Sequence, residues 1–429
     1  MLKFGTMGPA VAFPFVLLLV YLCSNSYCAT YDDSVNLMDK VLDGYVSRQR
    51  PVLDQSHGIV VSLGFYLLTI QDFDEVAEKF SAYGLLYITW SDQVITWDPK
   101  DYGGAYSALF KLSDVWYPKL VLTNPYSKLS DLGDDWMIVR IYNSGYTSFV
   151  PGAVFDTSCS ADVTYYPFDT QTCALDFNVW GYVGTEVYLI PFLDEVDTTS
   201  FTENGEWALD STSVTRIPGG LSTSDTIRFS FSIKRKSTFL IINVILPIVF
   251  MAVINMLVFL LPAESGERLS YSVTVLLALA VFMTLVGDNL PKTSEPMPVL
   301  SYYLMILLIL STLMTVTTIF NLNIYFKKGQ VPACWRRLYR IIFCFPCRFR
   351  KKKIHKNNKV YPNDCINDSK TPIETVDISD REEPEPEITW QDLSVAVDWI
   401  ALAVFFVGTI IVNAVFLVIL AKNKDVAFN

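Results

Sequence analysis

Few residues in this 429-residue chain have the type and spacing that chemistry requires. The two histidines, His57 and His355, stand far apart without a ligand-like or nucleophilic neighbour, so metal-based and histidine-based catalysis have no support. A stripe of carboxylates and hydroxyls is more informative. Steps of three and four residues from Glu267 meet Ser270, Thr274, Leu277, Val281, Thr284 and Asp288, which form one face of a helix. A helix from Glu267 to Asp288 would rise about 32 Å, enough to cross the hydrocarbon core of a bilayer. It carries a carboxylate at each end, hydroxyls in its inner half and Leu277 with Val281 in the middle. Copies of such a helix around an axis would make acidic rings at both mouths, and an apolar constriction that gates by dewetting. The bland alternative is a lipid-embedded helix whose Ser and Thr pack against neighbouring helices. Carboxylates at both ends of the same stripe argue against it.

Cysteines supply the second constellation. Cys159 and Cys173 are the only cysteines between Ala29 and Lys236, and they enclose Ser160 to Thr172 with Tyr166-Pro167-Phe168-Asp169 at the tip. A disulfide between them would close a loop worth about 3 kcal/mol on chain-entropy grounds. The tip would be rigid and apolar, suited to pressing on something below it. Cys344-Phe-Pro-Cys347 and Cys334 lie in a basic stretch, and a zinc site would need four ligands where only one CxxC exists. Palmitoylation or plain reduced thiols suit them better. The sequence thus implies no metal and no cofactor.

These residues need a membrane domain and an oxidised domain to position them. Lys3, the apolar run Val11 to Leu22 and the small or polar residues Ser24 to Ala29 read as a secretory signal over residues 1–28, cleaved near Cys28 or Ala29. Four later segments are long and apolar enough to span: Phe239 to Leu261, Leu269 to Val286, Val299 to Ile319 and Val395 to Leu420. From Thr30 to Lys236 there are 28 Asp/Glu and 14 Lys/Arg, a net of 14 − 28 = −14. From Lys327 to Lys359 there are twelve Lys/Arg and no acid, which places that stretch inside and both termini outside. The only Asn-x-Ser/Thr sequon, at Asn367, falls on that inner side. The implied division is an extracellular domain over 29–236, three membrane helices over 237–322, a cytoplasmic loop over 323–392, a fourth helix over 393–421 and an outer tail over 422–429.

Within 29–236 one helix comes first. Asp32 or Asp33 can cap it, Val35, Met38, Leu42 and Val46 share a stripe, and Pro51 stops it. Period two then takes over in Val61 to Ile70, Tyr83 to Trp90 and Arg228 to Lys234, and many short strands argue for an antiparallel β-sandwich. An immunoglobulin-like adhesion domain would place its two cysteines far apart, one in each sheet, and these fail that test.

The loop Cys159 to Cys173 closely resembles the signature loop of Cys-loop receptors, the pentameric ligand-gated ion channels. Trp90-Ser-Asp, Trp97-Asp-Pro, Trp116-Tyr-Pro, Pro151 to Phe155 and Asn204 to Trp207 resemble the family's extracellular landmarks, in order, and are closest to nicotinic acetylcholine receptor subunits. Leu246-Pro247, Phe259 to Arg268 and Ser272 to Met283 are similarly nicotinic in character. The resemblance implies a Cys159–Cys173 disulfide and a β-sandwich above a four-helix membrane bundle, in a pentamer around an axial pore. Partners would be four further like subunits, the lipid bilayer, a small-molecule agonist with cations among the candidates, and permeant sodium and potassium, with calcium left open. No nucleic acid is implied, and the plasma membrane is the expected location. Anion-conducting relatives usually carry Pro-Ala where Gly266-Glu267 stands before Arg268, so the implied selectivity is for cations.

The family holds agonist between adjacent subunits in a box of aromatic rings. Trp180 matches the central box tryptophan, and a core tryptophan is its bland alternative. Thr123 stands where the family has a tyrosine, Lys119 replaces an expected Asp, and Leu85 aligns with the complementary-face tryptophan, with Tyr83 and Tyr87 on the same strand face. The capping segment Arg216 to Arg228 has neither an adjacent Cys pair nor a tyrosine. Acetylcholine is therefore a poor expectation. A different small ligand, or a subunit that contributes only one face of a mixed pentamer, fits better. Phe168, Asp169, Arg235 and the turn at Leu290-Pro291-Lys292-Thr293 resemble the family's transmission contacts. The competing classes are a transporter, which should show mid-helix charges and repeated broken segments, and an adhesion receptor, which needs no hydroxyl-lined stripe.

Overall fold

The computed structural model describes residues 29–291, 297–337, 339–340 and 388–426. The expected signal segment, most of the expected cytoplasmic loop with Cys344, Cys347 and Asn367, the turn residues Lys292 and Thr293, and the last three residues lie outside them. The chain divides into two compact units: the first runs to Ser237 and also takes in the segment that starts at Asn289, and the second holds Thr238–Asp288 and resumes at Met297.

The first unit opens with α1 (Tyr31–Leu42). Its cap is Thr30, not Asp32 or Asp33: the Asp33 N–H donates to Thr30 Oγ1 (3.2 Å) while the Thr30 N–H donates to Asp33 Oδ2 (2.9 Å). This reciprocal box satisfies two orphan donors where a lone aspartate would satisfy one. The expected stripe also shifts. Leu37 is the buried residue, Val35 is exposed, and the helix stops at Leu42, so Val46 lies beyond it. Gly44, at φ +76°, turns the chain well before Pro51.

The expected sandwich follows. One sheet has seven strands: β3 (Ser107–Lys111), β5 (Ile138–Tyr142), β6 (Tyr146–Phe149), β2 (Lys79–Ser91), β1 (Ile59–Asp74) and β9 (Val187–Pro191) in spatial order, with β7 (Gly152–Ser158) sharing the β6 side of β2. The other has four: β10 (Trp207–Ile217), β11 (Thr226–Arg235), β8 (Thr170–Val179) and β4 (Leu120–Leu122). Ladders are antiparallel with one exception. The chain crosses between sheets after β8, and β9 enters parallel to β1, Ile59 opposite Val187. Alternation fills the space between the sheets: Ile227, Phe229, Phe231 and Ile233 of β11 are fully buried, and Phe65 packs against Phe229, Phe231 and Phe155 at 5.4, 5.8 and 5.6 Å. Each such side chain contributes about 2–3 kcal/mol by leaving water. Cys159 is bonded to Cys173 on β8, with Cα atoms 5.5 Å apart.

The second unit contains four helices long and apolar enough to cross a membrane: α2 (Thr238–Leu260), α3 (Arg268–Asp288), α4 (Val299–Tyr325) and α5 (Trp390–Val426). The helices run past the expected apolar cores at most ends, because hydrogen bonding continues into polar flanks; α2 instead stops one residue short of Leu261. Pro247 has no N–H to donate, and α2 takes a wider π-type turn over Ile241–Ile245 just before it, where Asn243 Nδ2 donates to the Phe239 carbonyl (2.9 Å). Helix packing uses rings and hydroxyls. Tyr303 of α4 stacks on Phe416 of α5 at 4.0 Å and donates its hydroxyl to Asn413 Oδ1 (2.8 Å), Phe259 stacks on Phe405 at 5.6 Å, and the Ser272 and Thr315 hydroxyls meet at 2.7 Å.

Candidate functional site

The predicted stripe lies on one face of α3. Glu267, Ser270, Thr274, Leu277, Val281, Thr284 and Asp288 are all exposed in the single chain, Leu277 at 64%. Arg268, Ser272, Val275, Leu279 and Val286 form the buried opposite face. The helix begins one residue later than expected, at Arg268. Gly266 sits at φ +71°, and Glu267 is the cap, its carbonyl accepting from the Tyr271 N–H (2.9 Å). The hydroxyls divide by role. Ser272 bridges to α4, as the bland reading would have every hydroxyl do, whereas Thr274 and Thr284 donate back to Ser270 O and Val281 O of their own helix, both at 2.8 Å. Arg268 is buried, its stem leaving α3 about 100° around the axis from Glu267.

The residues expected to face a ligand divide between the two sheets. Trp180 follows β8 and is 58% exposed, which removes the core reading. Its N–H donates to Lys119 O (2.8 Å), and it lines a cavity of about 450 Å³ with Trp116, Tyr117, Lys119 and Tyr182. Thr123 does not stand in for a tyrosine hydroxyl aimed at a ligand: its N–H and Oγ1 both donate to the Asp176 carbonyl, at 2.8 and 3.1 Å. Tyr83, Leu85 and Tyr87 point outward from β2, between the buried Ala82, Leu86 and Ile88. Sequence reasoning missed what surrounds them. Tyr66 lies directly opposite Leu85 in the ladder, Tyr87 meets Tyr66 and Phe192 edge-on at 6.2 and 4.8 Å, and the Tyr87 and Tyr146 hydroxyls lie 3.4 Å apart. An aromatic surface absent at Leu85 is thus rebuilt from its neighbours. Alternation along β1, which turns Ser62, Gly64 and Tyr66 one way, could have found it.

The segment at the capping position is a hairpin loop between β10 and β11, fastened underneath. Asp225 (2% exposed) accepts from the Leu189 N–H (3.0 Å), the Gly219 N–H (2.6 Å) and Arg216 Nη2 (2.8 Å). Ser224 Oγ donates to Tyr182 O (2.6 Å), and the Gly184 N–H donates to Thr223 O (2.9 Å). A Cβ on Gly184 would lie 2.9 Å from Asp225 Oδ1, and one on Gly219 2.4 Å from Thr223 O, so the approach requires both glycines. The loop is therefore tied to the segment just after Trp180.

At the other end of the sandwich, Arg235 and Asp169, two of the residues that resemble transmission contacts, form an ion pair. Arg235 Nε and Nη2 donate to Asp169 Oδ1 (2.7 Å) and Oδ2 (3.0 Å), and Nη2 also donates to Glu75. Its guanidinium lies 4.3 Å from the centre of the Trp207 ring and 5.0 Å from that of Tyr166. Burial alone would depress this cation, but the bonds and charges of Asp169 and Glu75 outweigh it and hold the pKa above its ordinary value. Phe168 is half-buried beside this network, and Pro291 is half-buried at the edge of the described residues.

Comparison with known proteins places the whole arrangement. The neurotransmitter-gated ion-channel ligand binding domain matches residues 34–237, and the neurotransmitter-gated ion-channel transmembrane region matches residues 244–344. Neuronal acetylcholine receptor subunit beta-3 of Homo sapiens is 31% identical over 323 residues, 74% of this chain and 70% of that subunit. The chain belongs to the neurotransmitter-gated ion-channel family. Other relatives in the family are beta-3 of Rattus norvegicus, 32% identical over 310 residues (71% of this chain, 66% of that subunit), and acetylcholine receptor subunit delta of Xenopus laevis, 32% identical over 346 residues (76% and 66%). The aligned stretches cover slightly less than two thirds of those two subunits. In this neurotransmitter-gated channel chain the first match ends at Ser237, the last residue before α2 begins.

Proposed function

We propose that this chain is one of five like subunits around an axial, cation-conducting pore in the plasma membrane, with both termini outside, opened by a small extracellular ligand. The observation that carries this reading is the exposed face of α3. Its side chains grade from Glu267 through Ser270 and Thr274 to Leu277 and Val281, then to Thr284 and Asp288, while the opposite face is buried against the other helices. Glu267 would supply the selective ring, because carboxylates in a narrow, poorly screened space lower the energy of a cation and raise that of an anion. Leu277 and Val281 would form the closed constriction. Phe168, Asp169, Arg235 and Pro291 would carry motion from the sandwich to the pore by shifting a two-state population. The test is the reversal potential of expressed channels. It should follow the sodium and potassium gradients, with a weaker cation preference in Glu267→Ala, and a wild-type potential that tracks chloride would refute the reading.

Acetylcholine is the ligand that the relatives are named for, but features of the Trp180 side favour a different ligand or none on that face. The Thr123 hydroxyl is engaged by the Asp176 carbonyl, and the fastened hairpin offers no tyrosine. The aromatic surface around Tyr83, Tyr87 and Tyr66 remains available as the complementary side. On that reading the chain contributes one face of a mixed pentamer, and its expression alone yields channels without agonist response, whereas co-expression with a second subunit restores it.

A further inference from the structure

Glu267 and Arg268 are neighbours of opposite charge, and side by side at a pore mouth they would largely cancel. The structure separates them. Glu267 is exposed, whereas Arg268 is 1% exposed and lies inside the bundle. Its Nε and Nη2 donate to the carbonyls of Val258 and Phe259, both at 3.2 Å. Those acceptors carry no charge. The one ion pair recorded for Arg268 among the described residues is with α5: Nη2 lies 2.7 Å from Asp398 Oδ2. Asp398 is itself oriented by Asn321 of α4, whose Nδ2 donates to Asp398 Oδ1 (2.6 Å) and to Ser394 O (3.1 Å).

We propose that Asp398, on α5, is a positioning residue for ion selectivity: its carboxylate holds the Arg268 guanidinium inside the bundle and so leaves the Glu267 ring uncancelled. The inference rests on the pore reading given above. A buried cation that loses its countercharge is strongly disfavoured and moves toward water. Arginine has a long flexible stem that lets its head reach water from an apolar anchor. Glu267, the chain neighbour of Arg268, is an exposed carboxylate on the stripe, and its charge draws a released guanidinium toward the pore mouth. The Nη1 of Arg268 is buried without a partner, so the neutral contacts that remain do not satisfy the group once Asp398 is gone.

The test uses the full chain in membranes with two readouts. An arginine-selective dicarbonyl, read by mass spectrometry of the peptide that carries Arg268, should leave it protected in the wild type and modify it at least about tenfold faster in Asp398→Asn. The sodium-over-chloride permeability ratio should fall by about tenfold in the same variant, since one added charge per subunit within a few ångströms suffices even in watery surroundings. Asp398→Glu should keep both properties. Continued protection of Arg268 in Asp398→Asn, or exposure with an unchanged ratio while Glu267→Ala does change it, would overturn the proposal. If Asp398→Asn fails to reach the surface, the double variant Arg268→Gln/Asp398→Asn should return there with cation preference intact, and its absence would overturn it too. A Glu267→Ala ratio equal to wild type would instead sink the pore reading, while the labelling result still decides whether Asp398 holds Arg268.

Discussion

Arg228 grips Asp176 through two parallel bonds, Nε to Oδ1 at 2.8 Å and Nη2 to Oδ2 at 2.7 Å. The two residues oppose each other on β11 and β8, and the carbonyl of the same aspartate takes both donors of Thr123. The pair thus joins three strands beneath the position where a ligand-facing tyrosine would stand. The hydrogen bond and charge of Asp176 hold the Arg228 pKa above its ordinary value.

Replacement of Asp176 should loosen this junction moderately, because the guanidinium side remains half in water. Asp176→Asn is expected to cost about 1 kcal/mol. A thermal melt of the purified chain should show a lower midpoint, and an unchanged midpoint would mean that the fork contributes nothing measurable.

The Asp225 fastening should matter more. Asp225→Ala leaves the Leu189 and Gly219 N–H groups and Arg216 without their common acceptor, at a cost of about 3 kcal/mol or more. Hydrogen exchange over residues 217–225 should accelerate sharply while the β11 core around Phe229 and Phe231 stays protected. Equal exchange in both proteins would show that the loop is held by its other contacts, from Ser224 and Thr223.

Leu277 is the most exposed of the apolar pore-face residues, at 64% against 50% for Val281. Leu277→Ser should let water into the closed constriction and give standing current without ligand. A well-expressed variant with no added leak and unaltered ligand sensitivity would assign the gate elsewhere.

What was legible in the sequence was whatever repeats with the period of its own element. The stripe from Glu267 to Asp288 could be read because every third or fourth residue shares a helix face, and the core of β11 because every second residue points inward. The disulfide was legible through family likeness to its loop. Partners that arrive from elsewhere in the chain were not legible. Nothing near Arg268 announces Asp398, and nothing near Asp225 announces Leu189, because tertiary packing alone brings them together. The α1 cap was misjudged for a local reason: either of two adjacent acids could have served, and the neighbouring threonine won by sharing the work with one of them.

The late start of α3 gives its two ends opposite characters. Peptide dipoles aligned along a helix leave about half a positive charge at the first turn and half a negative charge at the last. Glu267 stands at the positive end and Asp288 at the negative end. In a ring of such helices the Glu267 carboxylates must first offset the converging amides before they can favour cations, whereas the Asp288 carboxylates add to a field of their own sign. Neutralising Asp288 would therefore only weaken its mouth. Neutralising Glu267 would leave the other mouth mildly attractive to anions, so a single side chain decides the sign of the field there.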